Sequence, residues 1–557
     1  MNRLIIILIF PILFNCTNSS KNKKIKAAVV SARKEASDIG IRIIENGGNA
    51  FDAMIATDLA LSVCYPNAGN LAGGGFLVYR KADGSFGSLD YREKAPLLAS
   101  RDMYLDSLGN VIKGKSTIGG LAVGVPGTIA GLYEIHKKYG SVSWDKLVQP
   151  SIDLAKKGYK VTKKQKRSFE SKKNDFIKIN GNNTFYAQDF KEGDIVVNLP
   201  LVETLKLIQK NGKDGFYKGI NAQRFVERVK ETGGIISKED LLNYSPIWRK
   251  PIQFNYKELT ITSMSPPSSG GLCLGQMLKM IEPFDIGKYG HNSVESIQLM
   301  VEAERRSYAD RAEYLGDPDF VKIPQNQLMD SIYLKNRMSN FNWSNATLSN
   351  DVYPGDIIFN ETEETTHYSI IDQKGNAVSV TTTLNGSYGS KVYVEDGGYF
   401  LNNEMDDFSS KPGVPNMFGL LGSEANSIMP EKRMLSSMTP TIVEKNKNLY
   451  MILGTPGGST IITSVFQTIL NAYEFKMGIQ ESVNSARFHH QWKPDIVVLE
   501  PKKFKSDLIL KLKNKGYYIE EKFSRIIGRV DAILIDENGI ISTGADPRGD
   551  DYSSILE

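Results

Sequence analysis

Two adjacent threonines, Thr365 and Thr366, stand where an acidic stretch runs directly into a strand-like segment, in the sequence ETEETTHYSIID at 361–372. A threonine hydroxyl is a weak nucleophile unless a base lies beside it, and the α-amino group of a chain N-terminus is one such base. Thr365 becomes a chain N-terminus only if the bond after Glu364 is cut. The junction therefore allows a self-cleaving threonine nucleophile, although these residues alone do not single it out. The alternative is that the pair only favours a strand start.

The segments around this junction differ in their residue patterns. Residues 36–64 predict helices on either side of a glycine-pair break, and residues 75–92 predict a hairpin with an Ala-Asp-Gly turn. Helical patterns dominate from about 125 to 340, and 293–315 is the clearest of them. Strand patterns prevail after residue 365, so the junction divides a mostly helical first part from a strand-rich second part.

The stretch from about 341 to 364 is polar and turn-rich, and we expect it to be exposed and mobile. An exposed linker that ends on a rigid strand suits a cut at the Glu364–Thr365 bond. The Thr365 hydroxyl can attack the Glu364 carbonyl if the backbone there is held strained, and water would then open the resulting ester.

The first residues have the pattern of an export signal. An apolar run at 4–14 is too short to span a bilayer and ends near Cys16, and a polar stretch follows. The sequence LFNC resembles a bacterial lipobox, with Asn15 in place of the usual small residue. We predict a signal peptide at 1–15, a lipidated Cys16 with a tether at 16–26, and location in the bacterial periplasm or cell envelope. The alternative is simple secretion with an incidental cysteine.

The bulk composition excludes several classes of function. The 557 residues carry a net charge of only +5, and we find no nucleic-acid-binding motif. If Cys16 is lipidated, Cys64 and Cys273 remain, and their apolar surroundings predict two buried thiols. No pair among the five histidines has the i, i+4 spacing of a helical zinc site, so we predict no catalytic metal and no cofactor.

Longer motifs extend the pattern far beyond the junction. The segments NAGNLAGGGFLVYR, DYREKAP and SPPSSGGLCL precede it, and LNNEMDDFSSKPGVPN, RMLSSMTPTIV, GTPGGSTIIT and ARFHHQWKPD follow it. In this order, with TTHYSIIDQKGNAVSVTTTLN at the junction, they closely resemble the γ-glutamyltranspeptidase family of N-terminal-nucleophile hydrolases. The resemblance runs from about residue 27 to the C-terminus, and several long motifs in one order are more specific than any one of them.

The resemblance implies a fold, an organisation and a reaction. The fold would be α+β, a four-layer α/β/β/α sandwich with two stacked sheets between helices. Cleavage would give a large subunit at 27–364 and a small catalytic subunit at 365–557, paired as a heterodimer. The enzyme would transfer γ-glutamyl groups from glutathione or related donors to water, amino acids or peptides, through an ester on Thr365.

The resemblance also assigns the catalytic residues. Thr365 would both cut the chain and serve as the nucleophile, and Thr383 would hydrogen-bond near its amine. Gly457 and Gly458 would supply backbone N–H donors to the oxyanion, and glycine suits this role because no Cβ blocks a close approach. Preorganised donors of this kind are usually a large part of catalysis.

A γ-glutamyl donor carries an α-carboxylate and an α-ammonium, and each needs opposite partners in a partly dry pocket. The residues that the resemblance assigns are Arg92, Ser436 and Ser437 at the carboxylate, and Asn385, Glu404 and Asp407 at the ammonium. Taken singly, each has an ordinary structural explanation, such as a surface ion pair for Arg92. Glu404 stands where some bacterial members have glutamine, and a carboxylate there still accepts from an ammonium.

Residues 409–427 resemble a lid loop found in many members of the family, with Phe418 where some relatives have tyrosine. Closure would then depend on apolar cover alone.

Two alternatives to the transferase stay open. A cephalosporin or glutaryl acylase on the same fold is disfavoured by the residues that recognise an amino acid. A non-catalytic surface lipoprotein that binds a ligand would leave the chain uncut.

Overall fold

The structure is a computed structural model and describes residues 26–353, 365–521 and 526–557. The strands are β1 (Ala27–Ser31), β2 (Gly74–Arg80), β3 (Phe86–Asp90), β4 (Tyr159–Lys160), β5 (Ile195–Val196), β6 (Ile247–Arg249), β7 (Ile252–Tyr256), β8 (Leu259–Ser263), β9 (Thr366–Ile371), β10 (Ala377–Thr383), β11 (Tyr393–Val394), β12 (Tyr399–Phe400), β13 (Thr441–Lys445), β14 (Asn448–Gly454), β15 (Phe488–His489), β16 (Val497–Leu499), β17 (Ile519–Glu520), β18 (Asp531–Ile535), β19 (Ile541–Gly544) and β20 (Tyr552–Leu556).

The helices alternate with these strands and are longest before residue 315. They are α1 (Lys34–Glu45), α2 (Ala50–Cys64), α3 (Thr128–Tyr139), α4 (Trp144–Lys157), α5 (Lys163–Asn180), α6 (Leu199–Asn211), α7 (Asp214–Tyr217), α8 (Gly219–Glu231), α9 (Lys238–Asn243), α10 (Gly270–Ile281), α11 (Ile286–Tyr289), α12 (Val294–Tyr314), α13 (Gln325–Leu328), α14 (Ser331–Arg337), α15 (Thr460–Tyr473), α16 (Ile479–Asn484) and α17 (Ser506–Asn514).

Two antiparallel sheets form the centre of the fold. The first has the strand order β20-β1-β9-β10-β2-β3-β6, and the second has the order β19-β18-β14-β13-β8-β7. Each sheet therefore combines strands from both sides of the Thr365 junction. In the first sheet, β9 lies between β1 and β10, with Thr366 opposite Thr382.

Three apolar cores separate four layers. Phe76 and Val78 of the first sheet pack with Ile442 and Ile452 of the second. The outer face of the first sheet is covered by α1 and α2, and the outer face of the second is covered by α10, α12 and α15. The predicted four-layer α/β/β/α sandwich is confirmed.

Helix α2 illustrates why the sequence forms these layers. Its N-terminus has a capping box, in which the Asn49 side chain accepts from the N–H of Asp52 while the Asp52 carboxylate accepts from the N–H of Asn49. The helix is buried along its whole length, as expected of a helix that is apolar on most sides. The glycine pair Gly47–Gly48 ends α1 just before it, and this confirms the predicted break.

Several other predictions are confirmed. The hairpin is formed by β2 and β3, and the clearest helical pattern is α12. The thiols of Cys64 and Cys273 are free and buried. Cys16 and Glu364, with the predicted signal peptide and most of the tether, lie outside the described residues.

Two predictions need correction. The mostly helical stretch also contains five strands, β4 to β8, and β6 to β8 belong to the two central sheets, with β6 and β7 at their edges. Ser349 and Val352, in the stretch predicted to be exposed, are buried, and their carbonyls accept from the indole N–H of Trp492 at 3.1 and 2.8 Å. That contact joins parts of the chain far apart in sequence, so local polarity does not reveal it.

Candidate active site

Thr365 lies directly before β9, at one end of the first sheet, and is only 4% exposed. Its side-chain oxygen is 3.5 Å from that of Thr383, the last residue of β10. The N–H of Asn385 donates to the Thr383 oxygen at 2.7 Å. Two neighbouring strands of one sheet thus bring the two hydroxyls together, and the Asn385 N–H orients the second one.

Among the residues that the structure describes, no imidazole lies within hydrogen-bonding distance of the Thr365 hydroxyl. His367 is two residues further along β9 and is buried, with its ring nitrogens 2.9 Å from Thr381 Oγ1 and 3.1 Å from Ser369 Oγ. Burial lowers the pKa of His367 to about 3, so the ring is neutral at physiological pH. On the backbone side, a guanidinium nitrogen of Arg529 donates to the Thr365 carbonyl at 3.3 Å.

A glycine turn leads from β14 to α15 and faces the same space. Gly457 has a φ of 139° and Gly458 a φ of 49°, a backbone conformation that favours glycine. A Cβ at Gly458 would lie 2.5 Å from the Phe418 ring. In the described parts of the chain, neither N–H donates to a protein acceptor, and both lie next to the positive end of α15.

Arg92 follows β3 and is buried in a cluster of carboxylates. Its two terminal nitrogens donate to different acids, one to Glu404 and the other to Asp407. Both acids belong to a 3₁₀ helix, Glu404–Asp407, that comes shortly after β12. Glu93 adds a third carboxylate, with an oxygen 3.8 Å from Arg92 Nη1.

Three carboxyl groups therefore face one guanidinium. Burial raises the pKa of Glu93 to about 8 and raises the pKa of both Glu404 and Asp407, although Arg92 opposes each shift. Burial alone would lower the pKa of Arg92, but the acids raise it. In the described chain, three carboxylate oxygens of Glu93 and Glu404 have no hydrogen-bond partner. Three carboxyl groups thus share one guanidinium, and a second cation beside them would favour their charged forms.

A second buried guanidinium lies behind the serine pair. Arg311 of α12 donates to Ser269 Oγ at 3.0 Å and to Ser437 Oγ at 3.2 Å. No carboxylate in the described parts of the chain lies within 4.0 Å of it, and burial lowers its pKa. The neighbouring Ser436 hydroxyl accepts from the N–H of Met438 at 3.1 Å. Ser437 is thus polarised by a positive charge from outside the cavity.

The structure brings almost all predicted site residues around one cavity. Those that line it are Arg92, Thr365, Thr383, Asn385, Glu404, Asp407, Ser436, Ser437 and Gly458. Gly457 is adjacent in the turn. The fold therefore brings together residues that lie up to more than 360 positions apart in the sequence. Their individual roles stay predictions.

Two further charged residues were missed by the sequence analysis. Glu93 and Arg311 both contact or adjoin predicted site residues. Arg311 had a detectable signal, because α12 carries many charged residues and yet its helical pattern is that of a core element. A charge in a helix that must be buried has to serve a partner inside the protein.

The loop at 409–427 covers the cavity. Phe418 is 3% exposed and lies against Gly458, and Leu420 is also buried. Phe418 and Leu420 supply the apolar cover expected from the sequence, but the loop is also held by polar contacts, such as Asn416 Nδ2 to Asp407 Oδ1 at 3.2 Å, so closure does not depend on apolar cover alone.

The described chain has no group of three or more His, Cys, Asp or Glu side chains placed to hold a metal ion. Likewise, among residues 26–353, 365–521 and 526–557 no helix has the length and apolarity needed to cross a membrane.

Solved structures define the class of enzyme. The chain superimposes on cephalosporin acylase from Bacillus halodurans with a TM-score of 0.84 over 96% of each chain, at 23% identity, which shows the fold. It also matches γ-glutamyltranspeptidase from Helicobacter pylori at 41% identity and a TM-score of 0.57, over 58% of this chain and 94% of that one. The fold, with a buried threonine at a strand start, is that of an N-terminal-nucleophile hydrolase.

Sequence comparison gives the family. The family model described as gamma-glutamyltranspeptidase matches residues 36–556. The chain is 41% identical to the glutathione hydrolase proenzyme of Escherichia coli K12, over 94% of this chain and 90% of that relative. It is 42% identical to that of Pseudomonas aeruginosa, over 94% and 93%. The chain belongs to the γ-glutamyltranspeptidase family and is an enzyme of γ-glutamyl transfer and hydrolysis.

Proposed function

We propose that this enzyme cuts itself between Glu364 and Thr365 and then uses Thr365 to transfer the γ-glutamyl group of glutathione to water or to an amino acid or peptide. One observation carries the proposal: the Thr365 hydroxyl opens into the same cavity as a buried guanidinium with an excess of carboxylates. A nucleophile and a site for an amino acid's two charges are thereby placed together.

The self-cleavage is an acyl shift followed by hydrolysis. The Thr365 oxygen attacks the Glu364 carbonyl carbon, a C–O bond forms, the C–N bond breaks, and the nitrogen takes up the hydroxyl proton. Water then hydrolyses the ester, which leaves a carboxylate on Glu364 and a free amine on Thr365. Thr383, 3.5 Å from the hydroxyl, orients it for this step.

The same oxygen attacks the γ-amide of the donor in the mature enzyme. The α-amine of Thr365 takes the hydroxyl proton and passes it to the leaving nitrogen. The oxyanion accepts from the N–H groups of Gly457 and Gly458, and its collapse releases cysteinylglycine and leaves a γ-glutamyl ester. Water then gives glutamate, or an acceptor amine gives a new γ-glutamyl amide.

Donor recognition exchanges ion pairs within the protein for ion pairs with the ligand. Arg92 leaves one of its two acids to bind the donor carboxylate, with the Ser436 and Ser437 hydroxyls as further donors. The freed carboxylate and the unpartnered oxygen of Glu404 accept from the α-ammonium, together with Asn385. A glutaryl side chain lacks that ammonium, so the three carboxyl groups beside Arg92 disfavour a glutaryl acylase.

We extend the proposal to organisation and location. The pieces 27–364 and 365–557 would stay together as a heterodimer, since both sheets contain strands of each. The chain would be exported and held to the cell envelope through a lipid on Cys16, after removal of residues 1–15.

Incubation of the purified protein with glutathione, with and without a dipeptide acceptor, tests the function. Mass spectrometry should find glutamate and cysteinylglycine, and a γ-glutamyl dipeptide when the acceptor is present. Unchanged glutathione, with turnover of a glutaryl amide instead, would favour the acylase.

A further inference from the structure

Three consecutive residues at the tip of the lid loop each contact a different part of the active site. The tip residues are Asn416, Met417 and Phe418, and their respective partners are Asp407, Asn385 and Gly458. Asp407 and Asn385 are predicted to bind the donor ammonium, and Gly458 is predicted to bind the oxyanion. The loop therefore contacts both ends of the site rather than only covering them.

Asn416 has two distinct roles in this arrangement. Its side-chain oxygen accepts from the N–H of Phe418 at 2.9 Å and from the N–H of Leu420 at 3.1 Å. Its side-chain nitrogen donates to Asp407 at 3.2 Å. One amide thus shapes the turn that aims the Phe418 ring and also contacts an acid of the recognition cluster.

Asp407 is shared between the lid and the donor site. One of its oxygens accepts from Asn416 and the other from Arg92. The preceding residue, Asp406, also holds the tip, because it accepts from the N–H of Met417 at 2.8 Å and from the Ser116 hydroxyl at 2.6 Å. The lid is therefore attached to the same short 3₁₀ helix that carries the acids for the ammonium.

We propose that Asn416 is a positioning residue that links occupation of the ammonium site at Asp407 to closure of the lid tip over the nucleophile. This inference rests on the proposed function. A donor ammonium keeps Asp407 charged and fixed in place, and Asn416 then has an ordered partner that holds the turn and the Phe418 ring against Gly458. Linkage makes the effect reciprocal: a closed tip tightens donor binding by the factor by which the donor favours closure.

Hydrogen–deuterium exchange across residues 413–422 tests the link in the wild-type enzyme. Saturating L-glutamate, which carries both charged groups, should slow exchange of the Phe418 and Leu420 amides about tenfold, the effect of one hydrogen bond to a charged group. Glutarate, which lacks the ammonium, should leave it unchanged.

Two variants locate the effect at Asn416. Asn416→Asp keeps an oxygen for both amides but places a carboxylate opposite Asp407, so glutamate should no longer slow exchange. The KM for γ-glutamyl-p-nitroanilide should rise about tenfold, with kcat within about twofold. The matched control is Lys411→Ala, which removes another contact of the same loop, to the Gly109 carbonyl at 2.9 Å, and should keep the glutamate effect.

The outcomes separate the two proposals. If glutarate and glutamate slow hydrogen–deuterium exchange of the Phe418 and Leu420 amides equally in the wild type, the proposed role of Asn416 is overturned. This result needs no variant. Undiminished glutamate protection in Asn416→Asp would also overturn that role. A wild-type enzyme that releases no glutamate from γ-glutamyl-p-nitroanilide would instead refute the proposed function.

Discussion

The two ends of the active-site cavity are built from different chemistry. At the nucleophile end, hydroxyls and backbone N–H groups predominate around Thr365, Thr383 and Gly458, and the nearby His367 is neutral. At the recognition end, buried charges predominate around Arg92 and Glu404. The first end lies on strand termini and a helix start, and the second on irregular segments after strands.

Because the two ends differ in chemistry, we expect substitutions at each end to change different kinetic constants. Groups that act on the reacting carbonyl contribute mainly in the transition state, so their loss lowers kcat. Buried charges that bind the donor's amino-acid head contribute in the ground state as well, so their loss raises KM. Kinetics and stability of single-residue variants test that separation.

Thr365→Ala should abolish both self-cleavage and turnover, because in the proposed mechanism one oxygen serves both reactions. Gel electrophoresis should show a single uncut chain. In the wild type, N-terminal sequencing of the small fragment should give Thr-Thr-His-Tyr-Ser. A Thr365→Ala protein that is cut normally would contradict the assignment, as would any other N-terminal sequence.

Arg92→Lys should raise the KM for γ-glutamyl donors at least thirtyfold while self-cleavage continues. Lysine keeps the charge but loses the planar fork, and a lost charged partner in a buried site costs about 2–5 kcal/mol. The control is Arg101→Lys, since Arg101 also pairs with two acids, Asp102 and Glu424, but is exposed. Equal kinetics for both variants would reassign Arg92 to a purely structural ion pair.

Arg311→Lys should raise KM by about tenfold with little change in kcat, because a single lysine ammonium does not hold Ser269 and Ser437 together as the guanidinium does. Steady-state kinetics with γ-glutamyl-p-nitroanilide checks this. A fall in kcat with unchanged KM would assign Arg311 to the nucleophile end instead.

Asp58→Asn should change pH-dependent stability and leave the kinetics of the cut enzyme unchanged. Asp58 lies behind β9, where it accepts from the Tyr368 hydroxyl at 2.7 Å, and burial raises its pKa from 3.8 to about 7. Burial of Asp58 therefore has no cost to the wild type below about pH 4, where the carboxyl is protonated in both states. As the pH rises to 7, ionisation of Asp58 lowers the free energy of unfolding by on the order of a few kcal/mol.

Thermal denaturation of both proteins at pH 5 and pH 8 measures this effect. The Tm of the variant should exceed that of the wild type by more at pH 8 than at pH 5. The same gain at both pH values would show that Asp58 does not titrate in the folded protein.

Cys16→Ala should have no effect at either end of the cavity. It should move the enzyme from the detergent phase to the aqueous phase in a two-phase partition, since stable anchoring depends on acyl chains that each gain about 0.8 kcal/mol per buried CH₂. A Cys16→Ala protein that still partitions with detergent would show that the lipobox prediction is wrong.

The nucleophile end could be predicted from sequence more completely than the recognition end. Thr365 directly precedes one strand and Thr383 ends another, the alternating pattern of these strands is visible locally, and the glycine turn precedes a helix with a clear apolar pattern. The recognition cluster depends on contacts between distant segments. The roles of Glu93 and Arg311 in the cluster become visible when α12 and β3 are placed beside the 3₁₀ helix, although the burial of α12 already signalled a partner for Arg311.

The missed strands have a similar explanation. Strands β6 to β8 are short and follow a long helical stretch, and they are held by pairing with strands far away in sequence, such as β8 with β13. The burial of Ser349 likewise depends on Trp492, more than 140 residues later. Local patterns contain no information about such partners.

The interleaving of strands in both sheets has a consequence for how the enzyme is made. Before the cut, β9 finds its neighbours β1 and β10 within one molecule, where the effective concentration is high. If the proposed cut occurs, β1 and β9 then belong to separate polypeptides, and regaining the native sheet after complete unfolding becomes a second-order reaction that depends on protein concentration. The uncut Thr365→Ala chain should regain its native fold at any dilution, whereas a cut pair should regain it only at high protein concentration. Cleavage would therefore make an assembly that forms easily in one chain difficult to repeat.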